Sequence, residues 1–270
     1  MSESGSTALA DRPPASSQPL LALKGFSKSF GAVEALKDVD LELYAGEVVG
    51  LVGDNGAGKS TLIKAIAGAQ PPDAGSAAFQ GRPVSITTPN DANELGIATV
   101  YQDLALCENL DVVANLFLGQ EVVGTGRVLD EFAMEKKATE LLSSLGVTTL
   151  RSVRTEVERL SGGQRQAIAI ARSLLGDAKL VILDEPTAAL GVVQTNQILD
   201  LIKRLRERGL GVMVVSHNLA NVFDVADRIV VLRLGRKVAE YKVGEATQEQ
   251  VVAAITGAQY GERPTEEAEL

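Results

Sequence analysis

GEVVGLVGDNGAGKSTLIKAIAGA, residues 46 to 69, decides how this chain is read. Its first eight residues form a nearly unbroken apolar run, the pattern of a parallel strand covered on both faces. Its last ten put apolar residues at helical spacing. Between them GDNGAGKS fits G-x-x-x-x-G-K-[ST], and a strand before with a helix after is the context that pattern requires. Backbone N–H groups freed by Gly53, Gly56 and Gly58 are expected to converge on the β- and γ-phosphates of a nucleotide, with Asp54, Asn55 and Ala57 completing the loop. Lys59 supplies a point charge and the helix N-terminus a partial one. Ser60 is the expected Mg²⁺ ligand, and Thr61 helps hold the α-phosphate.

Outward from that stretch, β-like runs (LLALKGF, VDLELY, SAAFQ, RPVSI) fill the first hundred residues, separated by Gly, Asp and Pro turns. Thr88-Pro89 reads as a helix start, Thr88 capping and Pro89 in the first turn. From Asp111 to Gly176 the pattern turns helical: DVVANLFLG, then DEFAMEKKATELLSSLG, then QRQAIAIARSLL. Beyond it KLVILDEP, TNQILDLIKRLRERG, LGVMVVSHN and RIVVLRLG alternate, which implies parallel strands with crossover helices. The expected fold is an α/β core interrupted by a helical insertion.

Two adjacent carboxylates end the strand KLVILDEP. Asp184 is expected to hold Mg²⁺ through its water shell, and Glu185 to polarise the water that attacks the γ-phosphate. His217, the one histidine of the chain, follows the apolar run GVMVVS. It therefore emerges at a strand's C-terminal end, where α/β folds place ligands, and is expected to touch the γ-phosphate and hold the attacking water. Gln102, after IATVY, could reach the metal or that water. Phe30 reads either as an aromatic plate for adenine or as a core residue. LSGGQ, residues 160 to 164, poses a puzzle. It too is a Ser-Gly turn opening a helix, in a chain that already has a phosphate loop.

Composition narrows the function class. The 270 residues are 45% hydrophobic, enough for a real core, with 26 Lys and Arg against 35 Asp and Glu. A net charge of −9 argues against a general nucleic-acid binder, which needs a basic stripe. One cysteine, Cys107, leaves no internal disulfide framework and fits a reducing compartment. No apolar run approaches the roughly 20 residues that span a bilayer. Residues 1–20 are expected to be a tail, 21–258 the folded body with a helical part over about 103–176, and 259–270 an acidic tail.

Phe30, GDNGAGKS, Gln102, LSGGQ, LVILDEP and His217, in this order, resemble the ATP-binding cassette subunits of transporters. The resemblance covers nearly the whole expected body. It implies a RecA-like P-loop core, an N-terminal antiparallel β subdomain and an inserted helical subdomain, with ATP and Mg²⁺ as cofactors. It implies Ser60, Gln102 and Asp184 around the metal. It also implies a solution to the puzzle: Ser161, Gly162, Gly163 and Gln164 bind the nucleotide held by a second cassette, two chains meeting head to tail around two ATP molecules. One departure is visible. The family commonly has an aspartate where EPTAAL here runs into Gly191.

Within the family, NDANELGIATVYQDLALCENLDVVANLFLGQE and DEPTAALG look similar to the ATPases of ribose, xylose and fructose importers. Many of those carry two cassettes in one chain; the single cassette here resembles the fructose- and xylose-type subunits. The resemblance thus implies a translocase ATPase on the cytoplasmic face of a bacterial membrane. Its implied partners are a second ATPase subunit (expected to be identical), transmembrane permease subunits, and indirectly an extracytoplasmic sugar-binding protein. The loop from Asp103 to Asn115 would receive the permease. Import of another solute, such as branched-chain amino acids, is the alternative. A soluble cassette ATPase acting on nucleic acid or ribosomes is a further one, although a second cassette, a basic arm or a coiled-coil insertion would be expected for it.

Overall fold

The computed structural model describes residues 18–124 and 128–258. The expectations of tails fall largely on residues 1–17 and 259–270, outside the described residues.

Two sheets share the load. In chain order the strands are β1 (Leu21–Phe30), β2 (Val33–Leu43), β3 (Val48–Val52), β4 (Ala74–Phe79), β5 (Arg82–Val84), β6 (Ile97–Val100), β7 (Leu180–Asp184), β8 (Gly211–Val215), β9 (Arg228–Arg233) and β10 (Arg236–Lys242). The smaller sheet is antiparallel, ordered β2-β1-β4-β5. The larger is ordered β10-β9-β3-β8-β7-β6, parallel except for β10, which pairs antiparallel with β9. Strands β3 and β8 are buried at every position, the mark of a sheet covered on both faces. Alternate residues of β3 serve different cores: Val48 and Val52 pack in one, Val49 and Leu51 in the other. A truncation such as Ile182→Ala, at a fully buried site, would cost about 2–5 kcal/mol.

The helices are α1 (Lys59–Ile66), α2 (Pro89–Leu95), α3 (Val112–Phe117), α4 (Glu131–Ser144), α5 (Gly162–Ser173), α6 (Val192–Glu207), α7 (Leu219–Val225) and α8 (Gln248–Thr256). Local chemistry starts them. Thr88 caps α2 in a box with Asp91, with Pro89 in the first turn, as the sequence predicts. Two further hydrogen bonds from Thr87 and one from the Thr88 backbone hold the Asp91 carboxyl down at about 2. Asp111, Asp130, Ser161, Asn218 and Thr247 cap α3, α4, α5, α7 and α8. Helices α3, α4 and α5 all lie between β6 and β7. Strand β10 and helices α7 and α8 are additions to the elements read from the sequence.

Two polar arrangements brace this frame. Fully buried Asn115 accepts from the Cys107 N–H at 2.7 Å and donates to the carbonyls of Cys107, Leu110 and Asp111 at 2.9, 3.2 and 3.0 Å. It thereby fixes the loop that leads into α3. Arg228 at the start of β9 donates to both Glu47 carboxylate oxygens at 2.9 Å, to the Glu42 carbonyl and to Glu240. This joins the β9–β10 hairpin to the β2–β3 turn, and the carboxylates raise the Arg228 pKa against the effect of its burial.

Candidate functional site

Strand β3 ends at Val52 and the chain turns through the glycine loop into α1. Gly58 occupies the N-cap with φ +104°, and a Cβ there would stand 2.6 Å from the Ala35 carbonyl oxygen. Only glycine meets both demands. The eight-residue α1 has no acidic residue in its first turn, so its N-terminal N–H groups keep their partial positive charge for an anion. The Lys59 ammonium arches back over the loop, donating to the carbonyls of Gly53 at 2.6 Å and Asp54 at 3.0 Å. Burial lowers its pKa, against the pull of Glu185, Asp54 and Asp184.

A cleft of about 760 Å³ opens over this loop. Asn55, Gly56, Ala57, Gly58, Lys59, Ser60 and Thr61 of the loop and α1 line it, together with Asp184, Glu185, Gln102 and Phe30. The C-terminal ends of parallel strands β3, β6 and β7 thus meet the start of α1 at one place, with Phe30 brought in from the end of β1 in the antiparallel sheet. Phe30 is 45% exposed, so of its two sequence readings the core one does not hold. Ala32, Val33, Glu34, Ala35, Lys37 and Leu234 also line the cleft and were not foreseen.

Glu185 follows β7 with φ +50°, a left-handed conformation that a glutamate adopts at a cost. Its N–H pairs with the Val215 carbonyl at 2.8 Å, which extends the β7–β8 ladder by one step. Its carboxylate accepts from Ser216 Oγ at 3.3 Å and from the His217 N–H at 3.0 Å, and His217 Nδ1 stands 2.9 Å from Oε1. The Glu185 side chain is mostly buried, whereas that of His217 is exposed. Next door, burial and then the Glu185 charge push the Asp184 carboxyl above its usual range, opposed by Lys59 and Lys64.

Ser60, Gln102 and Asp184 offer a hydroxyl, an amide and one carboxylate to the same cleft. That all-oxygen set suits Mg²⁺, which keeps several waters and takes further ligands from phosphates rather than from a protein cage. Among the described residues no group of three or more His, Cys, Asp or Glu offers such a cage. The residues present therefore fit the metal that the resemblance implies.

Ser161, Gly162, Gly163 and Gln164 do not line this cleft. Ser161 caps α5 in a reciprocal box, its Oγ accepting from Gln164 N at 3.3 Å while Gln164 Oε1 accepts from Ser161 N at 2.9 Å. Helix α6 packs so close that a Cβ on Gly163 would sit 2.9 Å from that of Gln194. Ser161 itself is exposed. At Gly191, the N-cap of α6, a Cβ would meet nothing within 4 Å, so no steric demand accounts for the missing aspartate.

The model of the ABC transporter family matches residues 36–188. The fructose import ATP-binding protein FrcA of Rhizobium meliloti is 46% identical over 247 residues, 89% of this chain and 95% of the relative. The xylose/arabinose import ATP-binding protein XylG of Sulfolobus acidocaldarius is 46% identical over 238 residues, 88% of this chain and 94% of its own. The ribose import ATP-binding protein RbsA of Caldanaerobacter subterraneus subsp. tengcongensis is 40% identical over 240 residues, 89% of this chain but 48% of the relative. Among solved structures, an ATP-binding cassette of an ABC transporter in its ADP conformation superposes with a TM-score of 0.75 at 25% identity, covering 89% of this chain and 96% of that one. A dimeric post-hydrolysis cassette bound to ADP and Pi gives 0.69 at 28% identity, covering 83% and 98%.

Proposed function

The chain belongs to the ABC transporter ATP-binding family, and on that premise we propose that it is the ATP-hydrolysing subunit of a monosaccharide importer, working in pairs with ATP enclosed between two cassettes. One observation carries the reading. The glycine loop, Gln102 and the Asp184–Glu185 pair share a cleft from which the Ser161–Gly163 turn is absent. A lone glycine loop leaves the γ-phosphate half solvated, and a capped helix start stands exposed elsewhere on the same chain. Two copies arranged head to tail satisfy both. The dimeric relative bound to ADP and Pi supports the pairing. Sugar as cargo is supported by relatives named for fructose and for xylose/arabinose import, which match this chain along nearly their whole length.

In this reading Lys59 leaves the Gly53 and Asp54 carbonyls for the β- and γ-phosphate oxygens. Phe30 stacks on the adenine. Glu185 accepts a proton from water as the water oxygen bonds to the γ-phosphorus. The bond from that phosphorus to the β–γ bridging oxygen breaks, ADP departs with the oxygen, and phosphate is released. His217 steadies the Glu185 carboxylate and the attacking water. Ser60, Gln102 and Asp184 would hold Mg²⁺, which when bound would neutralise charge on the phosphate oxygens. With the γ-phosphate gone, Ser161 of the facing copy loses its ligand and the pair loosens.

The working unit in this proposal is residues 21–258, with about 103–176 as its helical arm. It docks on the cytoplasmic side of membrane-spanning permease subunits through Asp103 to Asn115. Among the described residues no helix is long and apolar enough to cross a membrane. The test is uptake: deleting the gene should abolish import of one labelled monosaccharide among fructose, xylose, arabinose and ribose. Undiminished uptake of all four with lost uptake of a branched-chain amino acid would overturn the sugar assignment.

A further inference from the structure

The β9–β10 hairpin carries an unexplained residue at its tip. Arg233 and Arg236 pair across it, so Leu234 and Gly235 form a two-residue loop. Both have positive φ, +49° and +78°, the signature of a type I′ turn. That turn favours Asn-Gly or Asp-Gly, because a left-handed first residue strains an ordinary Cβ. Here it is a leucine, and it is 72% exposed. Folding alone gains nothing from this choice: the backbone is strained and the side chain stands in water.

Its position suggests another reason. The Gly235 N–H donates to the Ala57 carbonyl of the glycine loop at 3.0 Å, and the Gly235 carbonyl accepts from Lys37 N at 2.8 Å. The hairpin tip is therefore bonded to the phosphate loop on one side and to β2 on the other. Leu234 lines the same cleft as Phe30 and Val33, which are 45% and 66% exposed. Three large apolar side chains left in water around one ligand cleft are a binding surface, not a packing accident. The charged side chains beside them, Glu34 and Lys37, are engaged with each other at 2.9 Å.

We propose that Leu234 is a nucleotide-binding residue, forming with Phe30 and Val33 an apolar slot that grips the face of the base. This rests on the reading of the glycine loop as an ATP site and extends it to a hairpin outside the motifs of that site. The slot touches the ring face and not its hydrogen-bonding edge, so any purine nucleotide should feel it.

Leu234→Asn tests this, because asparagine is the residue the turn prefers. In a Glu185→Gln background, which keeps ATP intact, calorimetry should give a Kd for Mg-ATP raised roughly fivefold or more. GTP should weaken by the same factor, and inorganic tripolyphosphate should bind as before. The nucleotide-free melting temperature should hold or rise, opposite in sign to the affinity. Unchanged ATP affinity in Leu234→Asn, or an equal loss for tripolyphosphate, would overturn the role of Leu234 while leaving the glycine loop as the phosphate site. Failure of the parent chain, with Leu234 intact, to bind either ATP or tripolyphosphate would remove the ATP-site reading and this proposal together.

Discussion

Glu185 and His217, 32 positions apart, touch twice: the Glu185 Oε1 accepts from the His217 backbone N–H at 3.0 Å and lies 2.9 Å from its Nδ1. A His217→Ala chain keeps the backbone contact and loses the ring. Its turnover should fall by roughly 10- to 100-fold with ATP affinity retained, as read by phosphate release and by calorimetry. Full activity would mean that the ring has no part in the reaction.

Glu185→Gln keeps the size of the side chain and removes the base. Turnover should drop by about 10²-fold or more while ATP still binds and Mg-ATP drives a stable dimer, visible by size exclusion. A variant that hydrolyses normally would end the assignment of Glu185.

Lys59→Ala deletes the ammonium that arches over the glycine loop. Losing a charge-assisted contact to phosphate is expected to weaken ATP binding by about 10- to 100-fold, again by calorimetry. Unchanged affinity would count against the loop as the phosphate site.

Ser161→Arg places a long cation on an exposed turn outside its own chain's cleft. The chain should fold and lack ATPase activity. Mixing it with Glu185→Gln chains should restore activity, because each mixed pair has one site with both an intact glutamate and an intact serine. With random pairing the regained rate is about a quarter of the parent's. No regain would place both residues in one chain's site.

Asp184→Asn separates stability from activity. The folded pKa of Asp184 is raised, so the folded chain binds that proton more tightly than the unfolded chain does. The carboxyl is thus no burden at low pH and becomes one as pH rises through the carboxylate range and it ionises. At pH 7 the nucleotide-free variant should melt higher than the parent. The gain should shrink as pH falls toward the carboxylate range, and hydrolysis should be lost throughout. A lower melting temperature at pH 7 would contradict the burial effect.

The stretch from Gly46 to Ala69 was readable because strand, loop and helix follow one another without a break, so its context is local. Lys59, Asp184 and His217 were readable as strand- or loop-end groups for the same reason. The grip of residue 217 on Glu185 was not. It depends on β8 lying beside β7, with Asp184 in register with Val215, and adjacency in a parallel sheet is a tertiary fact. Strand β10 escaped notice because both its faces are at least partly exposed, which leaves no apolar alternation to detect. Helix α7 is seven residues long and buries only Val222 and Val225, too little for a helical period. Leu234 was hidden by its own exception: a Leu-Gly pair does not announce a hairpin.

Asn115 has a mechanical corollary. Its bonds to Cys107, Leu110 and Asp111 stiffen the loop after Gln102, and Arg172 of α5 ties the Ala105 carbonyl to that helix at 3.0 Å. Such a braced segment behaves as a pushrod rather than a cord. A shove against it from outside is transmitted to α5, whose far end is Ser161, with little lost to bending.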